Sequence, residues 1–515
     1  MNVTIERALK MPVLFSYFVD SFSEDTKAIL DKNKPFAFFH KSTQKYEMTE
    51  EVFQKLSEKQ EKFVDNRIEL PKFEREHNEK YGYQADAVSF SFKTNSIFIN
   101  FPQGMGKTLT ALKIVEAHGH KKVLVICGQS NLQEEWLKDA RKHNMIHLNL
   151  NIVGMDTGAG TKKKVAWIEA HKDIDGIDLI NIEALRNVDV TAALSEVQYD
   201  CMIVDEVQSA KGWKTEQTKG LNEIVSSESQ YRIALSGTPV LNDPLEYFSL
   251  LKFLRVFRTG DGRLLDVSRT TFEKYYGEWA FDFWGHYVCK GFKHLEELSA
   301  LITPIWCYVD KSELGLPQKT RKKINVQDIA DEYNYLNTVY RMPIKSVRKK
   351  GFKTKSEIRS KMQFLSSTMP SKIEFVKNTA ERQLVFSQYT QVLDVYYKEL
   401  KDAGKRVLFY HGKLNMKERL QVLEDWSNNK ADILLLSLMA ARYGLNLTEA
   451  SVTTFIEPPT SMPILEQGED RAHRIGQEKE VNSYLLCSSN LDEEALENIQ
   501  RKQESIDKLK ELLIN

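Results

Sequence analysis

The stretch that most limits what this chain can become is Ser96-Ile-Phe-Ile-Asn-Phe-Pro-Gln-Gly-Met-Gly-Lys-Thr108. A short apolar run of strand type ends in a loop punctuated by Pro102, Gly104 and Gly106. Lys107 and Thr108 then open a segment with apolar residues at Leu109, Leu112, Ile114 and Val115 and a stop at Gly119. The pattern predicts strand, phosphate loop, helix. Glycines suit such a loop because backbone N–H groups must close round polyphosphate oxygens. A helix N-terminus suits it because its orphan donors and dipole favour anions. Gly104, Met105 and Gly106 would then cradle the phosphates, Lys107 would reach the β- and γ-phosphates, and the Thr108 hydroxyl would ligate Mg²⁺. The strict form of the pattern has glycine where this chain has Phe101. The competing reading, a glycine-rich turn before an ordinary helix, loses weight if a metal-binding acidic strand and a basic finger lie downstream.

An acidic strand end is present. The apolar run at 201–204 delivers Asp205-Glu206-Val-Gln208. Asp205 can hold Mg²⁺ through water, and Glu206 can polarise the water that attacks a γ-phosphate. Two carboxylates capping the next helix are the alternative, and the upstream loop favours the nucleotide reading. Between the two motifs, a strand at 123–127, Gly128-Gln-Ser130, a helix with Leu132, Trp136, Leu137 and Ala140 on one face, and a strand at 177–182 alternate. A strand at 232–235 then runs into Ser236-Gly-Thr-Pro239. This alternation implies βαβ units and a mostly parallel sheet, whose ligands bind at the carboxyl ends of the strands. Ahead of the loop, the Gln84 amide can read the two-sided hydrogen-bonding edge of adenine.

Residues 241–370 change character. Phe272, Tyr275, Tyr276, Trp279, Phe281, Phe283, Trp284 and Tyr287 crowd one span whose pattern is helical, without strand alternation. They read as base-stacking platforms or as the core of a helical insertion, and their density favours the core. Two basic runs, Lys319-Thr-Arg-Lys-Lys323 and Arg348-Lys-Lys-Gly-Phe-Lys-Thr-Lys355, read equally as phosphate-backbone contacts or solvated linkers. A second α/β pattern comes next, with strands at 384–387, 406–410, 432–437 and 452–456 and a helix from Met416 to Trp426. It has no Gly-Lys-Thr loop but carries Gly444-Leu-Asn-Leu447 and Gln467-Gly-Glu-Asp-Arg471-Ala-His-Arg474-Ile-Gly-Gln477. Arg471 and Arg474, three apart, are expected on one helix face, where two guanidiniums suit a triphosphate; a surface charge pair is the alternative. A charged amphipathic helix over 490–515 is expected to brace this lobe.

Residues 1–80 read as a separate small module. Pro35-Phe-Ala-Phe-Phe-His40, the polar turn Lys41-Ser-Thr-Gln44 and Lys45-Tyr-Glu-Met48 predict a hairpin, with a helix over 49–62 and a charged connector over 72–80. Periodicity alone favours a structural cap over a DNA-binding role. Lys+Arg and Asp+Glu each total 72, so any nucleic-acid surface must come from local charge segregation. The five cysteines contain no CxxC pair and read as reduced thiols. No apolar run approaches the roughly 18 residues of a membrane span, and the N-terminus lacks a signal-peptide profile. The expectation is a soluble, cytoplasmic protein of a bacterium or of a virus's host, with no membrane partner.

In order along the chain, Gln84, Gly104-Met-Gly-Lys107-Thr108, Asp205-Glu206-Val-Gln208, Ser236-Gly-Thr-Pro239, Gly444-Leu-Asn-Leu447 and Gln467 to Gln477 resemble the motifs of superfamily-two helicases. Leu235-Ser-Gly-Thr-Pro239 and Arg471-Ala-His-Arg-Ile-Gly-Gln477 resemble the SWI/SNF family of DNA-dependent ATPases. The resemblance covers residues 80–490. It implies an α/β fold of two RecA-like lobes with parallel sheets, at 81–240 and 371–490, with helical protrusions at 241–370, a small N-terminal α+β module and a closing helix at 491–515. ATP and Mg²⁺ are implied in the cleft between lobes, with Lys107, Glu206, Gln467, Arg471 and Arg474 catalytic and Gln84, Gly444 and Asn446 on the nucleotide. Gln208, Ser236 and Thr238 are implied in coupling, and Gln129, Ser130, Gln388, His411 and Ser437 in DNA contact.

The segment around 36–56, and the spacing Phe272-Glu-Lys-Tyr-Tyr276, Trp284, Leu295-Glu-Glu-Leu298, resemble the annealing-helicase branch, whose HARP-type module recognises branched DNA. The expected activity is that of a monomeric, ATP-driven translocase on duplex or branched DNA, serving fork reversal, annealing or branch migration. An RNA-directed motor and a nucleotide-gated scaffold without turnover are the alternatives. The intact Lys107, Asp205, Glu206 and Arg474 argue against the scaffold.

Overall fold

The strands Ser96–Asn100, Lys122–Cys127, Cys201–Asp205 and Tyr231–Ser236 are buried at every position. Helices on both faces of a parallel sheet require this, which is why these segments read as unbroken apolar runs. The computed structural model describes residues 71–515 except 78, 80, 129, 156–159, 211–214, 225–229, 238–243, 258–266, 282–286, 327–329, 439–444 and 515. Ahead of these it describes the backbone of five strands, Val3–Arg7, Leu14–Val19, Ala37–His40, Lys45–Thr49 and Phe63–Asn66.

Those five form one sheet in the order Ala37–His40, Lys45–Thr49, Leu14–Val19, Val3–Arg7, Phe63–Asn66. The hairpin read from the sequence is present, with His40 opposite Lys45 and Ala37 opposite Met48. The helix read over 49–62 lies outside the described residues except for Thr49, which ends a strand.

Two compact units make up the chain, the first from residues 1–311 and 505–515, the second from 312–504. The first holds a seven-stranded sheet in the order Trp306–Tyr308, Ser96–Asn100, Tyr231–Ser236, Cys201–Asp205, Lys122–Cys127, Gly176–Asn181, Leu150–Ile152. Every pairing is parallel. Parallel neighbours need long crossovers, and helices such as Lys107–His118, Ser130–Lys142 and Glu216–Ile224 supply them.

The aromatic stretch departs from its helical reading. Helix Arg269–Tyr276 buries Phe272, Tyr275 and Tyr276, and then gives way to an antiparallel pair, Gly277–Phe281 with Tyr287–Phe292. The switch falls at Gly277, where an added Cβ would lie 2.5 Å from Trp279 Nε1. The Trp279 indole folds back to donate to the Glu273 carbonyl at 2.9 Å, closing the helix end. Phe283 and Trp284 lie outside the described residues.

The second unit holds a six-stranded parallel sheet in the order Lys319–Asn325, Val481–Cys487, Val452–Phe455, Gln383–Ser387, Ile433–Ser437, Val407–Tyr410. Of the two readings of the basic run at 319–323, phosphate-backbone contact or solvated linker, the linker is therefore excluded. The run is an edge strand, where charged side chains are tolerated on the open side. Helices Asp331–Arg341, Ile344–Lys349 and Lys355–Ser367 form a separate cluster around Tyr333, Leu336, Val347, Ile358 and Met362.

The last helix, Asn490–Ile514, belongs to the second unit up to Glu504, as expected, and to the first unit beyond it. Leu491 packs in the second unit's helical cluster, whereas Ile506, Leu509 and Leu513 belong to the main core of the first. Their spacing of three and four residues makes one apolar stripe. No helix among the described residues is long and apolar enough to cross a membrane. All five cysteines are free thiols.

Candidate active site

Gly104 and Gly106 have φ of 85° and 72°, a region glycine enters without steric penalty. Gly106 caps helix Lys107–His118, and a Cβ there would lie 2.6 Å from Gln84 Nε2. Gln84 is buried; its Nε2–H donates to the Met105 carbonyl at 3.4 Å, and its Oε1 accepts from Lys113 Nζ at 3.4 Å. The Tyr83 hydroxyl donates to the same carbonyl at 3.1 Å. Phe101, standing where glycine is usual, is fully buried with its ring edge-on to Tyr83 at 5.2 Å. The departure thus ties the loop to the helix that carries Gln84.

Lys107 Nζ donates to the carbonyls of Phe101 at 3.2 Å and Pro102 at 3.5 Å. Thr108 lies half-buried in the first helical turn. A Cβ on Gly237 would lie 3.2 Å from Lys107 Nζ and 3.0 Å from Gln103 Cγ, so the turn after strand Tyr231–Ser236 lies against the loop. Ser236 is buried, and its carbonyl accepts from Asn100 Nδ2 at 3.2 Å.

Asp205 ends its strand in a buried position. Its carboxylate accepts the Trp136 indole N–H at 2.9 Å, and its carbonyl accepts the Gly128 N–H at 3.1 Å. Burial, and then the charge of Glu206, raise its carboxyl to about 6, against the pull of the Trp136 bond and Lys107. Glu206 takes a left-handed backbone, φ 54°, a conformation that costs a non-glycine residue of order 1 kcal/mol and concentrates at functional sites. A Cβ on Gly128 would lie 3.1 Å from the Glu206 Cβ and 3.2 Å from Ser209 Oγ, so the strand end packs closely against Glu206. Trp136 carries no site signal in the sequence, because a tryptophan on the apolar face of a helix reads as core.

In the second unit, helix Met462–Glu469 ends before either arginine, which corrects the shared helix face expected of Arg471 and Arg474. Beyond it the backbone closes mainly short turns, such as Arg471 N–H to Gly468 and Gln477 N–H to Arg474, and Gly476 takes φ 100°. The turns nevertheless bring the two guanidiniums together. Nη1 of Arg471 and of Arg474 donate to the same Leu445 carbonyl, at 3.5 and 3.0 Å. Arg471 is fully buried, its own carbonyl accepts the Leu447 N–H at 3.0 Å, and burial holds Arg474 below the usual arginine range. Gln467 is half-buried and Asn446 exposed.

Gln388, His411 and Ser437 follow or end adjacent parallel strands, with Ser387 in register with Ser437 and Tyr410 with Leu436. Ser437 is buried, and the half-buried His411 ring lies 4.4 Å from Phe409. At the same edge the buried Glu457 accepts from the Ser387 hydroxyl at 2.7 Å and the Gln388 N–H at 2.6 Å. Burial pushes Glu457 up to about 7. Gln129, Thr238 and Gly444 lie outside the described residues, and of Ser130 and Gln208 only the backbone is described.

Two parallel sheets, the first with a glycine loop capping a helix and an acidic strand end along one edge, define an α/β protein of two RecA-like lobes. The SNF2-related domain matches residues 47–379 and the helicase conserved C-terminal domain residues 360–476, and the chain belongs to the SNF2-related family. It is 25% identical over 436 residues to the human DNA annealing helicase and endonuclease ZRANB3, covering 80% of this chain and 38% of that one. It is 26% identical over 442 residues to the Xenopus laevis SWI/SNF-related matrix-associated actin-dependent regulator of chromatin subfamily A-like protein 1, covering 82% and 43%. The chain thus spans less than half the length of these relatives. The Sulfolobus solfataricus SWI2/SNF2 ATPase core in complex with dsDNA aligns over 86% of this chain and 99% of its own at 20% identity, with a TM-score of 0.37.

Proposed function

We propose that this chain hydrolyses ATP and uses the energy to move along duplex DNA, remodelling branched or protein-bound substrates. The observation that carries the reading is the convergence of Gly106, Lys107, Gly237 and Asp205 at the carboxyl edge of one parallel sheet. Lys107 exchanges the Phe101 and Pro102 carbonyls for phosphate oxygens. Mg²⁺ fits the donor set here, because the Thr108 hydroxyl and the Asp205 carboxylate are hard oxygen ligands of the kind it takes alongside phosphates and water. When bound, it supplies neutralising charge on the β- and γ-oxygens. Glu206 orients the attacking water, and Arg474 stabilises charge on the transferring phosphoryl group.

DNA as the track is supported by family membership and by the shared sheet edge of Gln388, His411 and Ser437. Branched DNA is supported by the relative named as a DNA annealing helicase and by the five-stranded module ahead of the first lobe. The test is steady-state ATP hydrolysis with linear duplex, single-stranded, forked and four-way DNA, and with RNA. Stimulation by forked or four-way DNA above the others is expected. Equal or greater stimulation by RNA would replace the DNA reading.

A further inference from the structure

The basic run at 319–323 has a task that neither of its sequence readings contains. Glu469 is 0% exposed and ends helix Met462–Glu469, where the negative end of the helix dipole disfavours a carboxylate. Arg321 offsets this with two parallel bonds, Nε–H to Oε1 and Nη2–H to Oε2, each 2.7 Å, and Lys319 Nζ adds a third at 2.8 Å. The two cations lie two residues apart on one strand and so share a face. Burial alone would raise the Glu469 carboxyl, yet these partners hold it down at about 2.

A second grip lies just beyond. His473 Nε2–H donates to the Pro317 carbonyl at 2.7 Å. Residues 317–321 therefore hold the turn at 469–473 at both ends, and Arg471 within it and Arg474 just after it reach the Leu445 carbonyl. The gripping segment is also the start of the second unit, whose first residue is Ser312; the first unit's segment before it ends at Lys311. A fork of two parallel bonds admits one orientation, whereas apolar packing of the same volume would stabilise the fold as well without fixing an angle.

We propose that Glu469, Arg321 and His473 are positioning residues. They set the orientation of the arginine turn and tie it to the connector at 312–318, so that tension in the connector is felt at Arg474. The proposal rests on the assignment of Arg474 to hydrolysis.

Arg321→Lys keeps the charge and removes the fork. DNA-stimulated kcat should fall about 10²-fold, the scale of a small misplacement of a catalytic group, with nucleotide and DNA affinity unchanged. A Gly-Ser insertion after Gly315, whose added Cβ would meet nothing within 4 Å, leaves the clasp bonds in place and slackens the connector. It should keep DNA-independent hydrolysis and lose most DNA stimulation. Amide exchange supplies a readout that needs no turnover. In Arg321→Lys the Leu447 N–H, held by the Arg471 carbonyl, should lose protection while strand Ile433–Ser437 keeps it. Wild-type kcat and an unchanged Leu447 amide in Arg321→Lys, below its melting transition, would reduce the clasp to a fold staple. Full DNA stimulation in the insertion variant would overturn the connector's part. A wild-type chain that no DNA stimulates defeats the proposed function, and the Leu447 amide still decides whether the clasp orients the turn.

Discussion

Trp136 and Asp205 are joined by a hydrogen bond of 2.9 Å between two buried side chains. Trp136 lies on the second turn of helix Ser130–Lys142, whose first residue is one of the expected DNA contacts. One rigid element thus runs from that expected contact to the carboxylate assigned to the metal.

Trp136→Phe keeps an aromatic ring in the core and removes the donor. A hydrogen bond to an ionised group contributes about 1.5–3 kcal/mol, so turnover should fall roughly tenfold or more. The Mg²⁺ concentration giving half-maximal turnover should rise, while nucleotide affinity without Mg²⁺ should not. A magnesium titration of hydrolysis beside nucleotide binding in chelator separates the two.

Lys107→Ala should abolish ATP turnover, and Glu206→Gln should leave ATP bound but unhydrolysed. In the proposed site the first removes the cation that would face the phosphates, and the second the carboxylate that would orient water. Near-normal turnover in either purified variant would end the site assignment.

Arg474→Ala should reduce DNA-stimulated hydrolysis by about 10³–10⁵, the range of arginine fingers, with a much smaller loss of ATP affinity. Arg474→Lys should rescue poorly, since an ammonium cannot reproduce the planar fork. Of the two carboxylates that could make a surface ion pair with Arg474, Glu469 is taken up by Arg321 and Lys319, while the charge of Asp470 still acts on Arg474. Single-turnover hydrolysis with nucleotide titration reads both effects.

Glu457 gives a pH signature. Its folded-state pKa, about 7 against an ordinary 4.5, lies above its unfolded value. The stability it contributes is therefore fully present below about pH 4.5 and is lost as pH rises through about 7. Lys372 works against the upward shift, and Asp492 adds to it. Glu457→Gln should raise the melting temperature at pH 8 by several degrees and at pH 5 by much less. An equal change at both pH values would mean that the carboxyl is ionised throughout.

Deleting residues 1–70 should leave basal hydrolysis intact and weaken binding to forked DNA more than to linear duplex. Equal loss on both substrates would make the module a cap. Deletion through residue 80 should instead destabilise the first unit, because Arg75 and His77 hold the buried Asp86 at 3.0 and 2.5 Å. Without them the buried Asp86 carboxylate loses two of its partners. Thermal melts of the two truncations distinguish linker from anchor.

The central strands of both sheets were legible because burial on two faces forces long apolar runs, as in Cys201–Asp205 and Ile433–Ser437. Trp306–Tyr308 and Leu150–Ile152 were not, since three residues are too few to show a period. Lys319–Asn325 hid for another reason. Its charges answer a glutamate some 150 positions away in the chain, and no local pattern records such a partner. The strand, glycine loop and helix around 104–108 and the acidic strand end at Asp205 follow local motifs, and their geometry could be read directly. The meeting of Arg471 and Arg474 at Leu445 depends on turns and on a third segment, which residue spacing does not encode.

Leu509 and Leu513 lie in the first unit's core, yet the ribosome adds them only after the whole of the second unit. A nascent chain that has reached residue 504 has already supplied both parallel sheets but still lacks two leucines whose burial contributes about 1.5–3 kcal/mol each. The first unit, though its sheet is translated before the second unit, is therefore completed only after it. Until residues 505–513 are made, the part of the first unit's core that Ile506, Leu509 and Leu513 fill is left without them.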